Sequence, residues 1–202
     1  MALEASINLH SPKLNSQFKI KARSEDPMQR MMAIYALGRY SVTENLDEIL
    51  QALEDPSPRV RQVAIEAFQN LGAQAEDFLP HFLPRLIDED KDVRIALVDL
   101  LGQIGTPAVM PHLVSALADE NDWVKIRAIE ALGVHKLADA VPYLTQLFET
   151  ANPMVSYKII EALGMIGGNV AFSVLLGLMN SEDPEIQHAA AEAVAAIQAE
   201  QE

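Results

Sequence analysis

Histidine, serine, lysine and the carboxylates are the side chains here that could do chemistry, and their spacing limits how much. The five histidines are His10, His81, His112, His135 and His188. No two lie three to five residues apart and none is followed by Glu, so a zinc or iron site lacks ligands at usable spacing. With no cysteine, disulfides, thiolate metal sites and cysteine nucleophiles are excluded. Ser16-Gln17-Phe18-Lys19 matches Ser-x-x-Lys without its companion motifs, and the chain has neither a Gly-x-Ser-x-Gly elbow nor a Gly-x-x-x-x-Gly-Lys phosphate loop. Glu130 and Glu161 could approach as an acid–base pair, but an open surface gives little of the desolvation that raises a carboxyl pKa. No catalytic residue, metal or cofactor is therefore expected, and the chain is read as a non-enzyme.

The elements that position these residues repeat. One copy reads Val60-Arg61, Ala64, Ala67-Phe68, Leu71-Gly72, and its landmark recurs at Ala36, Ala67, Leu100, Ala131, Ala162 and Ala193, in steps of 31, 33, 31, 31 and 31 residues. A fixed period of this length implies a stacked array in which no single unit buries its apolar face alone. Each unit divides into two helices. The first, as at 108–117 and 140–148, carries apolar residues at helical spacing with a proline near its start, where the missing N–H costs little. An acidic, proline-bearing turn follows, as at Asp55-Pro56-Ser57-Pro58 or Asp119-Glu120-Asn121-Asp122, and its Asp, Asn or Ser should cap the second helix. That helix should stop at a glycine such as Gly72, Gly105 or Gly167. The expected fold is all-α: a right-handed α-solenoid of six two-helix repeats forming one domain over 12–198, with a flexible N-terminal tail at 1–11 and a tail at 199–202. Ser11 should cap the first helix, and the Ala-rich stretch Ala189 to Ala199 forms a small, polar terminal layer.

Fifteen basic against 29 acidic residues give a net charge of −14, which disfavours a nucleic-acid partner. The charge is uneven. Residues 1–30 hold Lys13, Lys19, Lys21, Arg23 and Arg30 against Glu4, Glu25 and Asp26, a net of +2, leaving −16 for the rest. The basic first helix is either solvated or a contact surface. No apolar run approaches the ~18 residues of a membrane span. Met1 to His10 lacks the charged and apolar regions of a signal peptide, so none is expected, and the lack of cysteine fits a reducing cytoplasm, the expected location.

The pattern Asp…Val-Arg…Ala-x-x-Ala-Leu-Gly-x-Ile-Gly resembles the HEAT-like repeat, in particular the short bacterial form of phycobilin lyase subunits, over residues 12–198. Ankyrin and tetratricopeptide signatures are absent. So are the paired His-Glu units of the HEAT-like deoxyhypusine hydroxylases and the basic groove of the HEAT-like DNA glycosylases. The resemblance implies a structural ladder in which an Asp and the basic residue six positions on link neighbouring repeats: Asp55 and Arg61, Asp88 and Arg94, Asp119 and Lys125. The pattern lapses at Ser24/Arg30, Thr150/Ser156 and Ser181/Gln187, so weaker bonding is expected towards the C-terminal end.

The resemblance also implies that the second helices line a concave groove. At about 100° per residue, three columns point away from the core. The first is Met31, Gln62, Ile95, Ile126, Tyr157 and His188; the second is Tyr35, Glu66, Asp99, Glu130, Glu161 and Glu192. The third, Gly38, Gln69, Gly102, Gly133, Gly164 and Ala195, is mostly small. An apolar stripe beside five carboxylates is read either as a binding groove or as a solvated face. The expected partner is a basic or amphipathic protein segment, with Met31, Tyr35, Ile95, Ile126 and Tyr157 facing water as its anchors. Trp123 is expected to pack at a repeat edge, with ligand stacking as the alternative, and His112 to be a partly exposed surface residue. The function expected is a protein-binding module or scaffold; the alternative is a subunit of a phycobilin lyase or a related factor acting on phycobiliproteins. Oligomeric state is left open.

Overall fold

The computed structural model describes residues 12–199, so the expected tail at 1–11, the Ser11 cap, His10 and Glu200 to Glu202 lie outside the described residues. Within them are twelve α-helices and no strand. They pair as the repeat requires. In the first three repeats α1 (Pro12–Lys21) precedes α2 (Pro27–Tyr40), α3 (Leu46–Ala52) precedes α4 (Pro58–Ala67), and α5 (Leu79–Phe82) precedes α6 (Lys91–Ile104). In the last three α7 (Met110–Ala116) precedes α8 (Asp122–Val134), α9 (Val141–Phe148) precedes α10 (Pro153–Ile166), and α11 (Gly168–Leu178) precedes α12 (Pro184–Ala199). Ala199, expected in the tail, is the last residue of α12.

The caps follow local chemistry. Asp26, Asn121 and Asn152 accept from the N–H of Met28, Trp123 and Val155 at 2.9, 3.0 and 3.1 Å. Asp90 and Asp183 do the same for Asp92 and Glu185 at 2.8 and 2.9 Å. Pro27, Pro58, Pro153 and Pro184 open their helices, where an N–H would have no intrahelical partner. Ser57 departs from expectation: its side chain makes no cap, and its own N–H goes to Asp55 at 2.8 Å. Gly105 and Gly167 end α6 and α10 at φ 64°, a backbone conformation open to glycine at little cost.

Repeat three is irregular, and its sequence says why. Two extra residues separate it from repeat two, and 3-10 turns at Phe68–Phe78 and Leu83–Ile87 replace most of its first helix. Pro84 follows Pro80 by four, so it lacks an N–H and its ring crowds the carbonyl of Pro80, which confines α5 to one turn. Phe68 fills the resulting space against Phe82 and Phe78, with ring centroids 4.6 and 5.2 Å away.

By contact the chain divides between Leu100 and Leu101 into two compact units. The first buries Leu37, Ile49, Val60, Ala64 and Phe68; the second buries Leu101, Leu132, Leu144, Leu163 and Leu175, all fully enclosed. Within each, second helices approach closely through the small column. A Cβ on Gly38 would lie 2.6 Å from that of Ala67, and one on Gly133 would lie 2.9 Å from the Cα of Ala162.

Candidate functional site

The charged ladder is present in the first unit, with a geometry that spacing alone does not reveal. Each arginine holds the turn six residues behind it through the backbone. Arg61 donates to the Asp55 carbonyl at 2.8 Å and Arg94 to the Asp88 carbonyl at 2.7 Å. The carboxylate partner belongs to the following repeat: Arg61 grips Asp88 with bonds of 2.9 and 2.7 Å. Arg30, expected to fall outside the ladder, joins it, donating to the Ser24 carbonyl at 2.9 Å and to Asp55 at 2.7 and 2.8 Å. Its pair with Ser24 uses a backbone carbonyl, which any residue supplies, so the missing Asp side chain does not matter. Burial pushes Asp55 and Asp88 up, but the hydrogen bonds from Arg30 and Arg61, the N–H of Ser57 and Asp90, and the nearby guanidinium charges outweigh it. Both carboxyls are held below their ordinary value.

The second unit holds other links between repeats. Lys125 turns to Asp122 at 2.7 Å, and Asp122 accepts from Asn152 of the next repeat at 2.6 Å. Tyr157 donates to Glu185 at 2.5 Å, which with partial burial pushes its phenol up to about 12. Lys158 spans to Glu130 at 3.1 Å. The C-terminal repeats are thus joined by polar links that the Asp–basic spacing did not signal.

The outward columns are not uniformly open. Ile126 is 3% exposed and belongs to the core, which corrects its expected place as a water-facing anchor. Helical periodicity fixes the direction of a side chain but not what packs over it. Met31, Gln62, Ile95 and Tyr157 are half-buried, and His188 is exposed. In the second column Tyr35 is 60% exposed, Glu161 and Glu192 are exposed, and Glu66, Asp99 and Glu130 are half-buried. Several of these carboxylates are engaged. Glu66 accepts from Gln62 at 2.6 Å, Glu130 from Arg127 at 3.3 Å, and Glu161 from Lys158 at 2.9 Å. Arg127 and Lys158 precede their glutamates by three residues, one helical turn, a signal legible in the sequence. The glycine column serves chiefly to let helices meet.

Clefts nevertheless open between successive second helices in each unit. In the first unit Tyr35, Gly38, Arg39, Val63, Glu66 and Gln69 border about 200 Å³. In the second, about 380 Å³ is bordered by Tyr157, Ile160, Glu161, Gly164, Met165 and Glu192, among others. Trp123, at the start of α8, is 54% exposed rather than packed away, and His112 is half-buried. His135 is tied by Nε2 to the Gly102 carbonyl at 2.5 Å, and its ring occupies the space that a Cβ on Gly105 would need. No helix among the described residues is long and apolar enough to cross a membrane.

Paired helices at a fixed period, joined by side chains that reach from one repeat into the next, define an α-helical repeat protein. A family model described as HEAT repeats matches residues 16–86, 46–133, 79–150 and 110–195, and the chain belongs to that family. No curated protein matches the sequence significantly. Among solved structures, a chain of the complex of CpcE and CpcF of phycocyanin lyase, from a Nostoc species, is 22% identical with TM-score 0.61, covering 91% of this chain and 76% of that one. The archaeal HEAT-like repeats protein of Thermococcus onnurineus is 18% identical with TM-score 0.60, covering 96% and 90%. A designed armadillo repeat protein in complex with the peptide (KR)4 is 18% identical with TM-score 0.57, covering 90% and 98%. At these identities the likeness is one of fold, and a fold of this kind suggests a protein-binding scaffold.

Proposed function

We propose that the chain is a non-enzymatic binding module, acting in the cytoplasm, that holds a basic or amphipathic segment of a partner protein against its second helices. The observation that carries this reading is the cleft of the second unit. There Ile160, Met165 and Gly164 supply an apolar floor, while Glu161 and Glu192 stand at its edge. Apolar anchors supply most of the affinity of such contacts, and rim charges speed and select the approach. The designed armadillo protein of similar fold holds a wholly cationic peptide, which is in keeping with an acidic repeat surface as a cation-selective one. Ile126 takes no part in the proposed contact, because it is buried. The bilin-lyase alternative rests on likeness of fold to a phycocyanin lyase chain, and no side chain described above is singled out for handling a tetrapyrrole.

The test starts with the full chain as bait in its native host and identification of bound proteins by mass spectrometry. Affinity for the purified partner is then measured with Tyr157→Ser/Met165→Ser, and with Glu161→Lys/Glu192→Lys at two salt concentrations. The apolar pair should weaken binding at least about tenfold with the helical fold retained by circular dichroism, even though the Tyr157–Glu185 bond is lost, and the charge reversal should slow association most at low salt. Wild-type affinity and rates in both variants would overturn the reading. A coloured chromophore co-purifying with the chain would favour the lyase instead.

A further inference from the structure

One more column runs along the second helices, and it changes character within the second unit. On α8 it holds Arg127, which reaches Glu130 at 3.3 Å. On α10 it holds Lys158, whose Nζ lies 2.9 Å from Glu161 and 3.1 Å from Glu130. Lys158 therefore bridges the carboxylates of two consecutive repeats. Its hydrogen bonds to Glu161 and Glu130 outweigh partial burial and hold the ammonium above its ordinary pKa.

Thirty-one residues on, the same column position on α12 is Ala189. The next pair of carboxylates in register is Glu161 and Glu192, and no lysine or arginine follows Lys158 in the sequence. Where the bridging side chain stood one repeat earlier, the cleft of about 380 Å³ opens, with Ala189, Glu161 and Glu192 among its walls. Glu161 shares one oxygen with Lys158. Glu192 has His188 at 3.3 Å on its own helix, a partner that is charged only when protonated. The apolar walls, Met165 and Ala193, suit the methylene stem of a long cationic side chain. The first unit's cleft offers no equivalent: Val63 stands in this column, and Gln62 already engages its glutamate, Glu66, at 2.6 Å.

We propose that the second unit's cleft is a lysine-binding subsite. An amine of the partner segment would sit between Glu161 and Glu192 as Lys158 sits between Glu130 and Glu161. The inference rests on the groove reading and specifies one side chain of its occupant.

The probe is a fluorescein-labelled peptide alternating lysine and leucine, compared with the same peptide acetylated at every lysine Nε. Both are titrated by fluorescence anisotropy against the full-length wild type and against Ala189→Lys, which fills the subsite from within. Ala189→Lys should melt no lower than wild type and should weaken binding of the free-amine peptide at least about tenfold, the range for losing a charge-assisted hydrogen bond. It should leave the already weaker binding of the acetylated peptide unchanged. Equal binding of the free-amine peptide by wild type and variant overturns the subsite while leaving the groove standing, and so does equal binding of the two peptides by wild type. Failure of the wild type to bind either peptide overturns the subsite too, and the groove is then judged on the native partner. If Ala189→Lys melts lower, Glu161→Gln/Glu192→Gln decides, and unchanged affinity for the free-amine peptide overturns the inference.

Discussion

Arg61 and Asp88 lie twenty-seven residues apart and meet through two hydrogen bonds of 2.9 and 2.7 Å, with side chains only 7% and 2% exposed. Such a pair joins two repeats and leaves an unpaired buried charge when either partner is removed. Asp88→Ala should therefore destabilise the protein by about 3–5 kcal/mol, read from urea denaturation monitored by circular dichroism. A loss under about 1 kcal/mol would show that the pair contributes no more than an exposed one.

The same carboxyls set the acid response. Asp55 and Asp88 have folded-state pKa values below the ordinary value of about 4, so the unfolded chain binds protons first as pH falls. Their contribution is fully present above about pH 5 and is lost as pH drops through the depressed folded values. Stability measured from pH 6 to pH 2 should fall in that window, and Asp55→Asn/Asp88→Asn should flatten the slope. An unchanged slope would assign acid unfolding to other groups.

Tyr157 gives the opposite case at alkaline pH. The bond to Glu185 favours the protonated phenol and moves its pKa to about 12, so the stabilisation is present below about pH 10 and is lost as pH rises through the folded value. Absorbance titration near 295 nm should show one late-ionising tyrosine that moves earlier in Glu185→Gln. A late component that stays put in that variant would assign the shift to another residue.

Two glycines should respond with opposite signs. A Cβ at Gly133 would meet the Ala162 backbone at 2.9 Å, so Gly133→Ala must part α8 from α10 at a cost of about 1–3 kcal/mol. A Cβ at Gly177, within α11, meets nothing within 4 Å, and Gly177→Ala should stabilise by up to about 1 kcal/mol. Thermal melts of the two variants side by side check the pair. Equal shifts would remove helix contact as the reason for glycine at Gly133.

In the core, Leu132 is fully buried, and Leu132→Ala should cost about 2–5 kcal/mol through lost transfer energy and the cavity left behind. A loss below that range by chemical denaturation would mean that the second unit collapses around the gap.

By itself the sequence determined the helix pairs, because period, proline, cap residue and apolar spacing act within one or two turns of the chain. Asn121 and Asn152 cap where their spacing said they would, and Leu101, Leu132 and Leu163 are core residues in register. Helical periodicity also gave the direction of each side chain, but direction is not exposure. Ile126 points where Tyr157 does, yet it is buried while Tyr157 is half-buried, because exposure depends on what packs over a side chain and not on its direction alone. Ladder residues were legible as types at fixed spacing. Only the tertiary structure decided that Arg30 and Arg61 each take their own turn's carbonyl and the next repeat's carboxylate, and so that Arg30 belongs to the ladder although Ser24 stands in the aspartate position. Where a cleft opens between second helices was likewise settled in three dimensions. Lys158 and Ala189 share one column, but an ammonium closes its space only where two carboxylates of neighbouring helices come within hydrogen-bonding reach of it.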